Sequence, residues 1–242
     1  MSEANNQLVL ISGFSASGKS ASLRNIKNQE NWVYLNCEAG KALPIKNKFK
    51  NITITDPMHV HEYFRECIKN QDQIDGIVID SLTFLMDMYE SQYVLTSSNT
   101  MKAWGDFAQF FKTLMQELVP QFKKPIIFIA HVKDELDEKN MEIKTSVPIK
   151  GSIKGTGVES YFSTVVSTKK VSIKELESFN SDLLEISEEE RELGWKHVFQ
   201  TRITKATLGE RIRSPMGMFN KSQTYMDNDA QLLLDHLTNF YK

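Results

Sequence analysis

The sequence has few of the features that mark secreted, membrane and metal-cluster proteins. Its 242 residues include only two cysteines, Cys37 and Cys67, too few for a disulfide framework or a four-thiolate zinc site. No stretch approaches the roughly 20 consecutive apolar residues that a membrane-spanning helix needs. Residues Met1 to Gln7 are polar, unlike a secretory signal peptide. We therefore expect a cytoplasmic protein in a reducing compartment, with no membrane partner.

An excess of charge of either sign is also missing. Lysine and arginine total 29 while aspartate and glutamate total 31, which gives a formal net charge of −2. The chain as a whole therefore lacks the positive field of many nucleic-acid-binding domains, although a local basic patch is compatible with this balance. Hydrophobic residues form 40% of the chain, which excludes a wholly disordered protein.

The first half of the chain alternates short apolar runs with amphipathic stretches. We predict buried strands at residues 8–12, 32–37, 52–55, 74–80 and 125–130. Between them we predict helices from residue 20 to about 28, over 57–70, and over 101–118, the last ending at Pro120. Such an alternation predicts an α/β fold, with a mostly parallel sheet flanked by helices.

The second half is less regular. We expect a mobile polar loop over 133–150, further strands at 161–168 and 196–204, and an inserted helical arm at 169–196. A C-terminal helix is predicted over 227–241, with Asp227 or Asn228 as its N-cap. No linker or repeat divides residues 1–242, so a single domain is expected.

A phosphate-binding motif follows the first predicted strand. Residues 13–20 match the P-loop pattern G-x-x-x-x-G-K-[ST] at every position. In this motif backbone N–H groups and a helix N-terminus face the phosphates, the lysine contacts the β and γ phosphates, and the hydroxyl binds Mg²⁺. We therefore predict a site for ATP and Mg²⁺, in which Lys19 is also catalytic. Its predicted nucleotide-binding residues are Gly13, Phe14, Ser15, Ala16, Ser17, Gly18, Lys19, Ser20 and Ala21.

Acidic residues end two of the other predicted strands. Asp80 ends the apolar run 76–79, at the carboxyl edge where parallel sheets bind ligands, so Asp80 and Ser20 are the predicted Mg²⁺ ligands. Glu38 follows the run 32–37 and is the predicted general base that orients the attacking water. The order of P-loop, strand with glutamate, and strand with aspartate resembles that of RecA-like ATPases. In that class a polar residue ends the next strand and senses the γ-phosphate, and His131 stands at this position.

These motifs, with the segments 200–205 and 211–217, resemble a family of phage RecA-like P-loop ATPases that bind nucleotides or anneal single strands. The resemblance covers roughly residues 8–219 and implies ATP-dependent work in DNA recombination, annealing or replication. It also implies single-stranded DNA as a ligand, self-assembly into a ring or filament, and a possible single-strand-binding or recombination partner.

Two sets of basic residues take candidate roles from this resemblance. A basic residue from a neighbouring subunit completes the site in RecA-like assemblies, and the candidates here are Arg202, Lys205, Arg211 and Arg213. The loop that follows His131 corresponds to a DNA-binding loop of RecA-like proteins. Its basic, glycine-rich second half supplies the candidates Lys144, Lys150 and Lys154.

Two other functions remain open at this point. A P-loop kinase of a nucleoside or another small molecule shares the phosphate-binding motif. Such kinases usually close an arginine-rich lid over the phosphates, and residues 132–170 contain no arginine. A non-hydrolysing, ATP-gated scaffold is the second alternative. We expect an unhydrolysed nucleotide if Glu38 faces away from the phosphates, and tight ATP binding with weak or absent turnover would support this alternative.

Overall fold

An eight-stranded sheet organises the part of the chain that the computed structural model describes, residues 5–242. The first four residues of the polar N-terminal segment lie outside this part. The strands are β1 (Leu8–Gly13), β2 (Trp32–Asn36), β3 (Lys50–Thr53), β4 (Gly76–Asp80), β5 (Ile126–His131), β6 (Lys133–Asp137), β7 (Glu142–Ser146), β8 (Thr164–Ser172), β9 (Trp195–Gln200) and β10 (Tyr225–Asp227). The helices are α1 (Met58–Lys69), α2 (Leu82–Tyr89), α3 (Thr100–Lys112), α4 (Ile173–Glu177), α5 (Glu188–Leu193) and α6 (Ala230–Phe240).

The strand order of the large sheet is β10-β9-β8-β1-β5-β4-β2-β3. The six strands from β8 to β3 run parallel, and β9 and β10 continue the sheet antiparallel. The predicted α/β class, with a mostly parallel sheet flanked by helices, is confirmed. Because β1, β5, β4 and β2 are parallel neighbours, their carboxyl ends meet at one edge of the sheet.

Two hydrophobic layers cover the two faces of this sheet. Alternate residues of β1 show the division: Leu10 packs with α1, α2 and α3, and Ile11 packs with α6 on the opposite face. The apolar stripe predicted over 101–118 lies in the first layer, where α3 continues as a π-helical turn at Thr113–Leu118. A short turn at Val119–Gln121, which contains Pro120, then ends this helical segment.

Two helical segments near the motif residues differ from prediction. The helix after the P-loop is a short 3₁₀ helix, Ser20–Asn25, rather than one reaching residue 28. Helix α2 was not predicted at all, although Ser81 begins it as N-cap by accepting a hydrogen bond from the backbone N–H of Phe84 at 3.5 Å. Helix α2 matters for function because it starts directly after Asp80.

The segment 133–150 is not the predicted loop over its whole length. Strands β6 and β7 form an antiparallel hairpin, with Asp134 opposite Thr145. The Thr145 hydroxyl donates to Asp134 Oδ1 at 2.6 Å, and Lys144 forms an ion pair with Asp137 across the same hairpin. Cross-strand pairs of this kind stabilise a hairpin whose polar composition, read by itself, indicates a loop.

The predicted inserted arm also has different limits. Strand β8 extends to Ser172 and β9 begins at Trp195, and these two residues pair with each other. Residues 169–172 and 195–196 therefore belong to the sheet, and the connection between them contains α4 and α5. This connection folds back on the sheet, because Leu176 of α4 is buried against Val198 and Tyr225.

The C-terminal helix is present but starts later than predicted. Asp227 ends β10, and α6 begins at Ala230. Its N-cap is Asp229, which accepts hydrogen bonds from the backbone N–H groups of Gln231 and Leu232. In the described residues no helix is both long and apolar enough to cross a membrane.

Candidate functional site

A cleft of about 310 Å³ opens at the carboxyl edge of the parallel strands. Two P-loop residues support this cleft from behind: a Cβ at position 13 would overlap Thr168, and Ser17 is hydrogen-bonded to Thr168. Phe14 is exposed and does not line it. The predicted site residues that line the cleft are Ser15, Ala16, Gly18, Lys19, Ser20, Ala21, Glu38, Asp80 and His131.

Residues distant in sequence hold the backbone of the P-loop. Gly18 has a φ of +102°, and a Cβ there would lie 2.7 Å from Asn228 Nδ2. That amide nitrogen donates to Gly18 O at 2.9 Å, and His197 Nδ1 donates to Ser17 O at 2.8 Å. The loop is therefore fixed from β9 and from the turn after β10.

The ammonium group of Lys19 lies at the centre of the cleft. Its Nζ donates to the carbonyl oxygens of Gly13, at 3.0 Å, and Phe14, at 2.7 Å. Burial lowers the pKa of Lys19 to about 8, although Asp80 and Glu38 oppose this effect by favouring the charged form. A triphosphate in this cleft would form charge-assisted hydrogen bonds with the desolvated ammonium group, and these would favour binding.

Ser20 and Asp80, the two predicted metal ligands, are in direct contact. Ser20 Oγ donates to Asp80 Oδ2 at 2.7 Å, and the Tyr34 hydroxyl donates to the same oxygen at 2.8 Å. Asp80 is 2% exposed, and its other oxygen, Oδ1, has no hydrogen-bond partner among the described residues. Burial raises the pKa of Asp80, against the opposing effect of the hydrogen bonds from Ser20 and Tyr34.

These oxygen donors fit Mg²⁺. A buried carboxylate oxygen without a hydrogen-bond partner costs free energy, and a bound cation would reduce that cost. No group of three or more Asp, Glu, His or Cys side chains in the described residues could hold a metal ion by itself. Mg²⁺ usually binds one or two protein ligands together with substrate phosphates and water, and Ser20 and Asp80 could supply the protein ligands.

Glu38 is directed into the cleft by the turn that follows β2. Ala39 and Gly40 both have positive φ, and the turn returns Lys41 to within 3.1 Å of Glu38 Oε2. The other oxygen, Oε1, lies 3.2 Å from His131 Nε2. Burial acts to raise the pKa of Glu38, but the hydrogen bonds from Lys41 and His131 outweigh it, and the pKa is lowered. Glu38 is therefore a carboxylate at neutral pH and can accept a proton.

His131 connects this carboxylate to the P-loop. Strand β5 lies between β1 and β4, so its last residue stands between the P-loop and Asp80. The Nδ1 of His131 is 3.3 Å from Lys19 Nζ, and its backbone N–H donates to the Thr83 hydroxyl at 2.9 Å. A shift in the position of Lys19 would therefore change its contact with the His131 imidazole directly.

The four basic residues predicted to act in trans do not line this cleft. The Arg202 guanidinium donates to Phe219 O at 2.6 Å, and Arg211 lies 3.6 Å from the buried Glu159 carboxylate. Arg213 pairs through its backbone with Val165, and Lys205 is exposed at the start of a 3₁₀ turn. Their action on a neighbouring subunit stays a prediction.

The three lysines predicted to bind DNA have different environments. Lys144 is paired with Asp137 in the hairpin, and Lys150 lies 2.5 Å from Glu90. Lys154 is exposed in the 3₁₀ segment Gly151–Gly155. Two of the three therefore already have an anionic partner within the chain, which weakens their candidacy as phosphate contacts.

Sequence analysis did not single out Tyr34, Lys41 and His197, which line the cleft together with residues 42–44, or Asn228, which holds Gly18. A local signal existed for Lys41 alone, since it follows Glu38 by three residues across a glycine turn. Tyr34 lies inside an apolar strand, where an aromatic residue indicates only core. His197 and Asn228 contact the P-loop because the strand order places β9 and β10 on the same side of the sheet as β1 and β8.

The fold and the site together define a P-loop protein with an ATPase-type nucleotide-binding core. The chain belongs to the AAA domain family, whose model matches residues 5–207. Among solved structures it is similar to a KaiC-like protein from the hyperthermophilic archaeon Pyrococcus horikoshii OT3, at 13% identity and a TM-score of 0.44. That similarity covers 84% of this chain and 82% of the other. No curated protein sequence matches the present chain.

Proposed function

We propose that this protein binds ATP with Mg²⁺ and hydrolyses it. The observation that carries the proposal is the meeting of Lys19, the Ser20–Asp80 pair and the Glu38–His131 pair in one cleft. Lys19 and Ser20 follow β1, Asp80 ends β4, Glu38 follows β2 and His131 ends β5. Together they match the parts that phosphoryl transfer to water needs: a cation for the phosphates, oxygen ligands for a metal, and a base for the water.

Each side chain of the cleft has a separate role in the proposed reaction. Lys19 leaves the carbonyl oxygens of Gly13 and Phe14 and binds the β and γ phosphates. Ser20 and Asp80 hold Mg²⁺, which neutralises charge on the phosphate oxygens when it is bound. Glu38 accepts a hydrogen bond, and then a proton, from the attacking water. His131 holds the Glu38 carboxylate in position through Oε1.

The proposed setting is DNA recombination, annealing or replication in a phage, with the protein bound to single-stranded DNA as an oligomer. The resemblance of the motifs to phage RecA-like ATPases supports this setting. A trans-acting basic residue is compatible with it as well, because among the described residues no arginine lines the cleft. Lys154 is the candidate DNA contact that has no anionic partner within hydrogen-bonding range in the described chain.

The position of Glu38 favours hydrolysis over the two alternatives. A non-hydrolysing scaffold would be favoured if this carboxylate faced away from the phosphates, and instead it lines the cleft beside Lys19. A small-molecule kinase would have to exclude water from the γ-phosphate. Here the segment 132–170 supplies no arginine for a lid over the phosphates.

The test is Mg²⁺-dependent ATP hydrolysis by the purified protein, with and without single-stranded DNA, together with particle size. We expect turnover that DNA increases and a particle size that rises with ATP. Turnover indifferent to DNA in a constant monomer would contradict the DNA-linked part of the proposal. Absence of ATP binding would contradict its core.

A further inference from the structure

A second cleft, of about 330 Å³, adjoins the phosphate cleft and contains none of the predicted catalytic residues. Ala21 and His197 line both clefts, so the two are continuous around the start of the 3₁₀ helix that follows the P-loop. Its volume lies within the range of pockets that bind small ligands. No motif in the sequence points to this second cleft.

The P-loop motif sets the direction in which a nucleotide would extend out of the phosphate cleft. Lys19, Ser20 and Asp80 mark the β and γ phosphates and the metal. Ala21 comes one residue later, where the P-loop backbone faces the α phosphate side. A nucleotide that extends from Lys19 past Ala21 therefore enters the second cleft with its ribose and base.

The apolar side chains of the second cleft suit a flat aromatic ring. Trp195 and Leu193 line it, and they are 37% and 57% exposed, an unusual degree for two large apolar side chains side by side. The Trp195 indole is held edge-on against the His197 imidazole at 5.0 Å, and Lys170 Nζ lies 5.0 Å from its ring centroid. A fixed and partly exposed indole is a stacking platform for a nucleobase.

Polar groups in the same cleft can bind the ribose or the edge of the base. His197 Nδ1 lies 2.8 Å from a carbonyl oxygen, which accepts only, so Nδ1 carries the hydrogen and Nε2 of the neutral ring is an acceptor. Burial lowers the pKa of His197, which favours this neutral form. Asn228 is 3% exposed, and its Oδ1 has no hydrogen-bond partner among the described residues.

The outer wall of the second cleft comes from the connection between β8 and β9. Ser187, Glu189 and Glu190, at the start of α5, face Trp195 across it. This helix is fixed in place by a capping box between Ser187 and Glu190, and Lys196 pairs with Glu190 at 2.6 Å. The segment that the sequence presents as an inserted arm therefore shapes a binding surface.

We propose that this second cleft binds the nucleoside part of the nucleotide, with Trp195 stacking on the base and the β8–β9 connection forming the outer wall. The inference rests on the proposed function, because it takes the phosphate cleft as the site of ATP. It adds a substrate-recognition role for Trp195, His197 and α5 that the P-loop motif does not contain.

The test compares two probes, ATP and inorganic tripolyphosphate, which share the phosphate chain and differ in the nucleoside. Equilibrium binding of both is measured for the wild type, Trp195→Ala, Trp195→Phe and Phe240→Ala. Phe240 is a matched control, since it is 39% exposed and rests edge-on against Tyr241 on the C-terminal helix. The indole fluorescence of Trp195 supplies a second readout.

We expect Trp195→Ala to weaken ATP binding about tenfold and to leave tripolyphosphate binding unchanged. Trp195→Phe should retain most of the ATP affinity, and Phe240→Ala all of it. ATP, but not tripolyphosphate, should change the emission that Trp195→Phe removes. Equal affinity of the wild type for the two probes, or equal loss of both in Trp195→Ala, would overturn this inference and leave ATP binding intact. If neither probe binds the wild type, the proposed function fails.

Discussion

Glu38 Oε1 and His131 Nε2 lie 3.2 Å apart although strand β4 separates the strands that carry them. The turn after β2 extends Glu38 over the end of β4, and β5 delivers His131 from the other side. Since His131 Nδ1 is also 3.3 Å from Lys19 Nζ, the imidazole lies between the Lys19 ammonium group and the Glu38 carboxylate. In the proposed mechanism, occupancy of the phosphate site would therefore be linked to the position of the Glu38 carboxylate through one side chain.

The first prediction concerns Lys19. Replacing Lys19 with alanine removes the cation that faces the phosphates, and we expect ATP binding to weaken about 10- to 100-fold. Lys46→Ala is the control, because Lys46 is exposed and lies outside the phosphate cleft. Calorimetric titration of both variants checks this, and unchanged affinity in Lys19→Ala would refute the assignment of the cleft.

The second prediction separates positioning from binding at His131. In His131→Ala the Glu38 carboxylate loses one of its two hydrogen-bond donors. We expect kcat to fall by about 10- to 100-fold, with ATP affinity within a few-fold of the wild type. His59→Ala, at an exposed histidine of α1, should leave both unchanged. If His131→Ala lowers affinity and spares kcat, the imidazole contacts the nucleotide rather than the base.

The third prediction concerns a basic residue that acts on a neighbouring subunit. Lys205→Ala and Arg211→Ala are expected to lower turnover only in the assembled protein, by on the order of 10³-fold for the residue that stabilises the transition state. Mixing the defective variant with Glu38→Gln should restore activity at some sites, because one interface then contains both intact groups. Full activity in both single variants would exclude these two residues.

The fourth prediction is a pH dependence of stability that comes from His61. This histidine is buried in α1, its Nε2 donates to Phe110 O at 3.1 Å, and its ring stacks on Phe110. Burial lowers the pKa of His61 below its usual 6.5, with Arg65 acting in the same direction and Glu117 against it. The unfolded chain therefore binds the proton more readily. The contribution of His61 is fully present above pH 6.5, and it is lost as the pH falls below that value.

Urea unfolding at pH 7.5 and pH 5.5 checks this dependence. The decrease in the free energy of unfolding between the two pH values should be smaller in His61→Gln, which keeps a donor for Phe110 O and does not titrate. His59→Gln, at an exposed position of the same helix, should behave like the wild type. An equal decrease in all three proteins would contradict the assignment.

The parts predicted from the sequence are those encoded by neighbouring residues. The P-loop, Asp80 and Glu38 each stand at the end of a short apolar run, and the parallel sheet that the runs imply brings these ends to one edge. The α/β class follows from the same alternation. Hairpin β6–β7 was missed because its stability comes from pairs across the two strands, such as Asp134 with Thr145.

The rest depends on which strands become neighbours, and no local pattern encodes this. His197 and Asn228 support Ser17 and Gly18 because β9 and β10 extend the sheet beyond β8. For the same reason Trp195, an ordinary aromatic residue in the sequence, lines the second cleft. The limits of the β8–β9 connection were also predicted incorrectly. Ser172 is both the last residue of β8 and the N-cap of α4, and its capping pattern indicates only the helix.

The central claim, that Glu38 is the base of an ATP-hydrolysing site, is tested most directly by comparing Mg²⁺-ATP turnover and ATP affinity in the wild type and Glu38→Gln. The glutamine keeps the shape of the side chain and removes the proton acceptor. We predict a 10²- to 10⁴-fold lower kcat with ATP affinity within about threefold of the wild type. Equal rates of hydrolysis in the two proteins would contradict the account.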